Sequence, residues 1–174
     1  MPTGYEGQYA PLLVTATIGA PVNPILGNIQ IPGLPQGLSF PATISGRAAD
    51  GFYTKTATTD SVSLLSGAEG NVQLVHNHDA SGNFAITLNH GTLFCRLLSI
   101  LFAAQKLIGD GQLPAFTFPV TYRDNNSVPA ETHEAFNCLI MRNPDVSFGA
   151  SVGTVAWSFV STRIISNFSS RGVV

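Results

Sequence analysis

His76-Asn77-His78-Asp79 is the patch whose residue types and spacing come nearest to chemistry. Two histidines at i and i+2 on a strand project to one face and have the donor chemistry to share a metal. A stable site needs three or four ligands held by ordered outer partners, and the remaining His90 and His133 fall in separate segments at no ligand spacing. The expectation is therefore a solvated turn in which Asp79 caps a hairpin. Cys95 and Cys138 are the other reactive types. Two thiols so far apart make neither a disulfide framework nor a zinc ribbon, and Cys95 sits among Leu and Phe, where a thiol ionises poorly. Both read as buried free thiols, with an intersubunit disulfide in an extracellular particle as the alternative. There is no Walker motif, no G-x-S-x-G, no spaced carboxylate pair and no cofactor fingerprint. Asp50-Gly51, Glu69-Gly70 and Asp145 read as turn acids. The expectation is a chain with no catalytic residue, no cofactor and no metal.

Chemistry of that kind being scarce, composition says more. The chain has 174 residues, enough for one domain with a substantial core. Lys+Arg 8 and Asp+Glu 10 make it 10% charged, against about 25% for an average soluble domain. With 44% hydrophobic residues it is not intrinsically disordered. A net charge of −2 argues against a dedicated reader of duplex DNA, whose affinity comes from Lys and Arg on phosphates. Leu93 to Ala104, the most apolar run, is interrupted by Arg96 and Ser99 and is too short to span a membrane. The first residues show neither a positive n-region nor an apolar h-region, so cytoplasmic synthesis is expected. A weakly charged, apolar chain fits best a subunit whose surface is buried by copies of itself.

The elements that must position any site follow from periodicity. Residues 1–51 are broken repeatedly by Gly and Pro and should give short strands, Leu12–Ile18 the best and Ile25–Ile31 a weaker one. Phe52–Leu65 suits a long strand pair or an extended loop ordered on contact. Asn71–Asn77 and Phe84–Asn89 read as the arms of a β-hairpin, with Phe84, Ile86 and Leu88 on one face and Ala85, Thr87 and Asn89 on the other. A helix is expected over Leu93–Leu107, capped by Thr92 and closed by Gly109. Phe116–Arg123, Glu131–Met141 and Val152–Ile165 read as strands, Pro119 making the first an edge strand and Val155, Trp157 and Phe159 sharing a face. The sum is a mainly β fold, an antiparallel sandwich or barrel with one packed helix.

Three stretches, in order, carry a resemblance to a known family. The first is Ile44-Ser45-Gly46 through Asp50-Gly51, then Thr59-Asp60-Ser61-Val62-Ser63 and Ser66-Gly67-Ala68-Glu69-Gly70-Asn71-Val72. It is similar to an acidic-aromatic-polar run ending in G-A-D-G-x-V, with Val62 in place of the aromatic and Glu69 in place of Asp. The second, Asn77-His78-Asp79-Ala80-Ser81-Gly82 leading into Phe84-Ala85-Ile86-Thr87-Leu88, is similar to the family's N-x-D-x-S-G strand. Here His90-Gly91-Thr92-Leu93-Phe94-Cys95 stands where the family has Ser-Pro and a following Asn. The third is Arg142-Asn143-Pro144-Asp145-Val146-Ser147-Phe148-Gly149, then Gly153 and Trp157-Ser158-Phe159, resembling a basic-x-P-x-V-x-F-G…G…W signature. The Pro/Gly-rich residues near 19–43 look like an insertion in a single domain spanning 1–174.

Together these stretches resemble the tail tube protein of Mu-like, contractile-tailed bacteriophages, the inner-tube family of contractile injection systems, and the resemblance implies the phage tail-tube fold, in hexameric rings stacked into a hollow tube. Partners would be the chain itself, a sheath protein, a tape-measure protein, a baseplate tube initiator and a tail terminator. DNA would pass through the lumen without specific binding, and no membrane is involved. The location would be the virion tail, assembled in the host cytoplasm. By the same resemblance the segment Thr54–Leu65 reaches the adjacent ring, with Thr54, Thr56, Thr58, Asp60, Val62, Leu64 and Leu65 as contacts and Gly67 and Gly70 as its hinge. Arg142, Pro144, Asp145, Phe148 and Trp157 carry the motif or an intersubunit contact, Arg142 being expected to pair with a neighbour's carboxylate. A bore that lets DNA slide should present small, polar or acidic groups, which Ala85, Thr87 and Asn89 satisfy by alternation. The reading from a different class is a carbohydrate-binding or adhesin-like β-sandwich, which would be monodisperse and ligand-responsive.

Overall fold

Alternation of branched apolar with small polar residues builds most of the strands. A computed structural model describes residues 14–34, 39–44, 52–58, 62–66, 72–76, 78–126, 130–144 and 153–167. Along the chain come β1 (Val14–Ile18), β2 (Val22–Asn23), β3 (Gly27–Asn28), β4 (Ala42–Thr43), β5 (Tyr53–Ala57), β6 (Val62–Ser66), β7 (Val72–His76) and β8 (Gly82–Asn89). The helix α1 (Leu93–Gly109) follows, then β9 (Phe118–Asp124), β10 (Glu131–Ile140), β11 (Thr154–Ser161) and β12 (Arg163–Asn167). The main sheet is antiparallel in the order β4-β1-β9-β10-β11-β8-β5, with β12 also paired to β10. Both β2–β3 and β6–β7 form separate ribbons.

Strand β10 belongs to two half-sheets. Its residues Thr132–Phe136 pair with β12, whereas Leu139–Ile140 pair with β11. Between them the register with β9 shifts from Ala135 to Cys138, and Asn137 adopts φ 51. This bulge changes which parity faces inward, so that His133 and Ala135 before it and Cys138 and Ile140 after it are all buried. It is stitched to the corner between β11 and β12: Ser161 Oγ lies 2.7 Å from the Phe136 carbonyl oxygen and accepts from the Arg163 N–H, while Asn137 Nδ2 donates to Thr162 Oγ1. The two half-sheets pack across one core. Phe84 and Phe159 stack at 4.8 Å, and Phe118 meets Phe159 edge-on at 6.3 Å.

The helix closes that core with Phe94, Leu97, Leu98, Leu101 and Ala104, all buried. Thr92 Oγ1 accepts from the Cys95 N–H and caps it as expected. Its end lies later than expected: Gly109 is still helical, Asp110 is the cap, and Gly111 takes the left-handed φ of 71°. Gln105 Oε1 accepts from the Ile140 N–H at 3.1 Å, so the helix also covers a backbone donor of β10.

Several expectations are corrected. Pro119 does not make β9 an edge strand: β9 lies between β1 and β10. The proline is accommodated because the bulge stands opposite it on β10 and because Gly19, whose N–H donates to the Pro119 carbonyl at 2.8 Å, leaves room for its ring. Residues 71–77 and 84–89 are not a hairpin, since β7 pairs with β6 and β8 with β5 and β11. Ile25–Ile31 is not a strand but the turn and second arm of the small β2–β3 ribbon, locked where Asn23 Oδ1 accepts from the N–H groups of Ile25 and Leu26. Val152–Ile165 is two strands broken at Thr162. Phe52–Leu65 is neither one loop nor one strand pair, because Tyr53–Ala57 joins the main sheet and Val62–Ser66 the β6–β7 ribbon.

Candidate functional site, an uncharged sheet face

Inward residues of β8 and β11 are large and apolar, so those facing outward are the intervening small ones. Phe84, Ile86 and Leu88 on β8 and Val155, Trp157 and Phe159 on β11 are buried. Outward, register aligns the remainder in rows across three strands. Thr56, Asn83 and Val160 form one row, and Thr54, Ala85 and Ser158 the next. Thr87 then pairs with Ala156, and Asn89 with Thr154. No side chain in these rows carries a charge. The sheet ends at β5, whose backbone pairs only with β8 among the described residues.

The other half-sheet differs. Its outward residues include the exposed Arg123, Glu134 and Arg163, interleaved with Thr15, Thr121 and Thr132. Arg123 Nε donates to Asn125 Oδ1 at 2.7 Å. The same chain thus presents one outer face with fixed charges and one without.

The expected bore residues Ala85, Thr87 and Asn89 lie together on the uncharged face, half-buried. Thr54 and Thr56, expected in a ring-to-ring loop, stand beside them on β5, and Thr58 follows at a bend, its N–H donating to the Ser81 carbonyl. Val62, Leu64 and Leu65 belong to β6, while Asp60, Gly67 and Gly70 lie outside the described residues. Arg142 is exposed and Pro144 half-buried; Asp145 and Phe148 fall outside the described residues. Trp157 is 2% exposed and points into this chain's own core, its Nε1 buried without a partner among the described residues. Thr154 and Ala156 are not singled out in the sequence, and Ser158 enters there only within the Trp157-Ser158-Phe159 motif, not as an outward residue. Their signal was present, since placing Val155, Trp157 and Phe159 inward puts these three outward.

The histidine and cysteine candidates are placed elsewhere. His78 is exposed beside Asp79, whose Oδ1 accepts from the Ser81 N–H at 2.9 Å in the turn leading to β8. Cys95 and Cys138 are buried, and burial pushes the Cys138 thiol up to about 12. One polar cluster went unrecognised: Ser166, His133 and Glu131 form a hydrogen-bonded series. It has the order of a nucleophilic triad, but Lys55 Nζ already occupies the serine oxygen and Tyr53 and Tyr122 pack on the imidazole. Nothing in that packing presents the hydroxyl to a substrate, and the cluster reads as an internal tie.

No family model and no curated protein matches the chain. Among solved structures it is similar to a chain of an extracellular contractile injection system, the PVC sheath-tube complex in the extended state, at 11% identity over 94% of this chain and 93% of that one, TM-score 0.48. It is also similar to a chain of the PVC sheath/tube terminator in the extended state, at 11% identity over 88% and 93%, TM-score 0.49. A third likeness is to the tube-terminating cap of the anti-feeding prophage, at 9% identity over 91% and 89%, TM-score 0.45.

Proposed function

We propose that this chain is the structural subunit of the inner tube of a contractile tail. Copies close into hexameric rings, and the rings stack into a hollow conduit through which DNA passes. The observation that carries the reading is the uncharged outer face of β5, β8 and β11, ending in the edge strand β5, whose backbone pairs on one side with β8 and on the other with no strand among the described residues. An exposed edge is a template for another strand, and closing a ring of sheets from copy to copy removes every such edge. The uncharged face then lines the bore. A wall without Lys or Arg releases no counterions from phosphate, so a polyanion slides rather than sticks. The reading rests on these residues and on the tail-tube motifs, not on likenesses at 9–11% identity.

Within this assignment the β6–β7 ribbon, not the whole of Thr54–Leu65, reaches the adjacent ring; Leu74 on it is 65% exposed. Thr54 and Thr56 join the wall. The charged half-sheet faces away from the bore, toward a surrounding sheath, while tape-measure, initiator and terminator proteins act at the lumen and the tube ends. The subunit works as a single domain in the virion tail and performs no catalysis. Negative-stain electron microscopy beside native mass spectrometry of the purified protein tests this. Rings or tubes of uniform bore with six-fold mass are expected; monomers alone, even with tail baseplates supplied as seeds, would refute it.

A further inference from the structure

Beneath the uncharged face, on the core side of the same terminal strand, polar groups from three strands form one hydrogen-bonded chain. Lys55 Nζ on β5 donates to Ser166 Oγ on β12 at 2.5 Å. Ser166 Oγ lies 2.8 Å from His133 Nδ1 on β10, and His133 Nε2 lies 3.1 Å from Glu131 Oε1. An ammonium only donates, so the serine oxygen accepts from Lys55 and has its own hydrogen left for Nδ1. In the neutral imidazole that arrangement leaves Nδ1 as the acceptor and Nε2–H directed at Glu131.

The setting makes a charge on that ring costly. His133 is 6% exposed. Tyr53 from β5 lies 5.4 Å from it and Tyr122 from β9 lies 5.5 Å from it, ring centre to ring centre. Lys55 is the cation facing it from β5, Glu131 the carboxylate on its own strand, and Asp124 on β9 stands opposite Glu131, two pairs along from His133. Burial lowers the affinity of the imidazole for a proton, Glu131 opposes that, and Lys55 adds to it. No backbone pairing joins β5 to β12 among the described residues, so the Lys55–Ser166 bond is a direct polar tie from the terminal strand of one half-sheet to the other.

We propose that the Lys55–Ser166–His133–Glu131 chain is an acid-released clasp that holds β5 against β12. A proton taken from solvent onto His133 Nδ1 turns that nitrogen from acceptor to donor. The Ser166 oxygen then faces two cationic donors, Lys55 withdraws, and the terminal strand loosens. The sign follows from linkage. The folded state binds the proton less readily than the unfolded chain, so the contribution of His133 to stability is full above about pH 6.5 and is lost as pH falls below it. The proposal is independent of the tube reading, since a monomer would carry the same clasp.

Amide exchange of residues 53–57, corrected for intrinsic pH dependence and referenced to β9, tests it at pH 7.5 and 5.5. The unmodified chain should lose several-fold of its protection across that interval, up to the ceiling of about tenfold that the unfolded value of His sets. His133→Gln should lose none, and Lys55→Met, which takes β5 out of the hydrogen-bonded chain so that a proton on His133 no longer acts on that strand, less than about threefold. Equal losses in all three proteins, or no loss in the unmodified chain, would overturn the clasp. Should the glutamine variant fail to fold, the half-exposed Lys55 position decides between the same two outcomes.

Discussion

The two outer faces of the molecule are built from one backbone plan and from very different side chains. Beyond the apolar inner layer, the β5-β8-β11 face carries Thr, Ser, Asn, Ala and Val, whereas the β9-β10-β12 face carries Arg123, Glu134 and Arg163. Core packing does not require this difference, because an outward position tolerates most residues. What it teaches is that the two faces are suited to different surroundings. In the proposed tube, a chain only 10% charged carries its charge on the face turned toward a protein partner and none on the face assigned to the bore.

That contrast can be broken from the inside first. Trp157→Ala, on the core side of β11, should cost about 3–5 kcal/mol in urea unfolding, because a large ring leaves a cavity in a closed core. The outward neighbour Ala156→Ser should change stability by less than about 0.5 kcal/mol in the same assay. Next is the seam where the half-sheets meet. A Cβ on Gly82 would lie 2.9 Å from Ile164 Cδ1 and 3.0 Å from the Thr56 carbonyl oxygen. Gly82→Ala should therefore cost about 1–3 kcal/mol by overpacking.

The outer faces are compared most sharply by adding charge to one and removing it from the other. Thr87→Lys should leave the fold within about 0.5 kcal/mol yet make assembled tubes retain duplex DNA, with log affinity falling about 0.9 per phosphate contact against log salt. Arg123→Thr should leave DNA passage unchanged. Smallest of all is the expected reaction of native Cys138 with a thiol reagent. Its thiol is buried and raised to about 12, so labelling should wait for unfolding.

What was legible in the sequence was local. The alternation of Phe84, Ile86 and Leu88 placed Ala85, Thr87 and Asn89 correctly on the outer side of β8, and Thr92 marked the helix start. What was not legible depended on distant partners. Pro119 reads as an edge residue until Gly19 and the β10 bulge are brought beside it. The Asp79 turn does precede a strand, but β8 finds β11 and β5 instead of the preceding β7. Lys55 and Ser166 are 111 residues apart, and no periodicity connects them. The resemblance puts Thr54 and Thr56 in a ring-to-ring segment, and the polar, β-branched sequence from β5 into β6 gives no sign of the division that pairing makes there.

The central claim is that the uncharged face lines a closed bore. The direct measurement is a cryo-electron-microscopy reconstruction of the assembled protein. The account predicts a six-fold tube with Ala85, Thr87 and Ala156 at the inner surface and Arg123, Glu134 and Arg163 directed away from it. A tube whose bore is lined by those three charged residues, or a protein that stays monomeric when seeded, would contradict it.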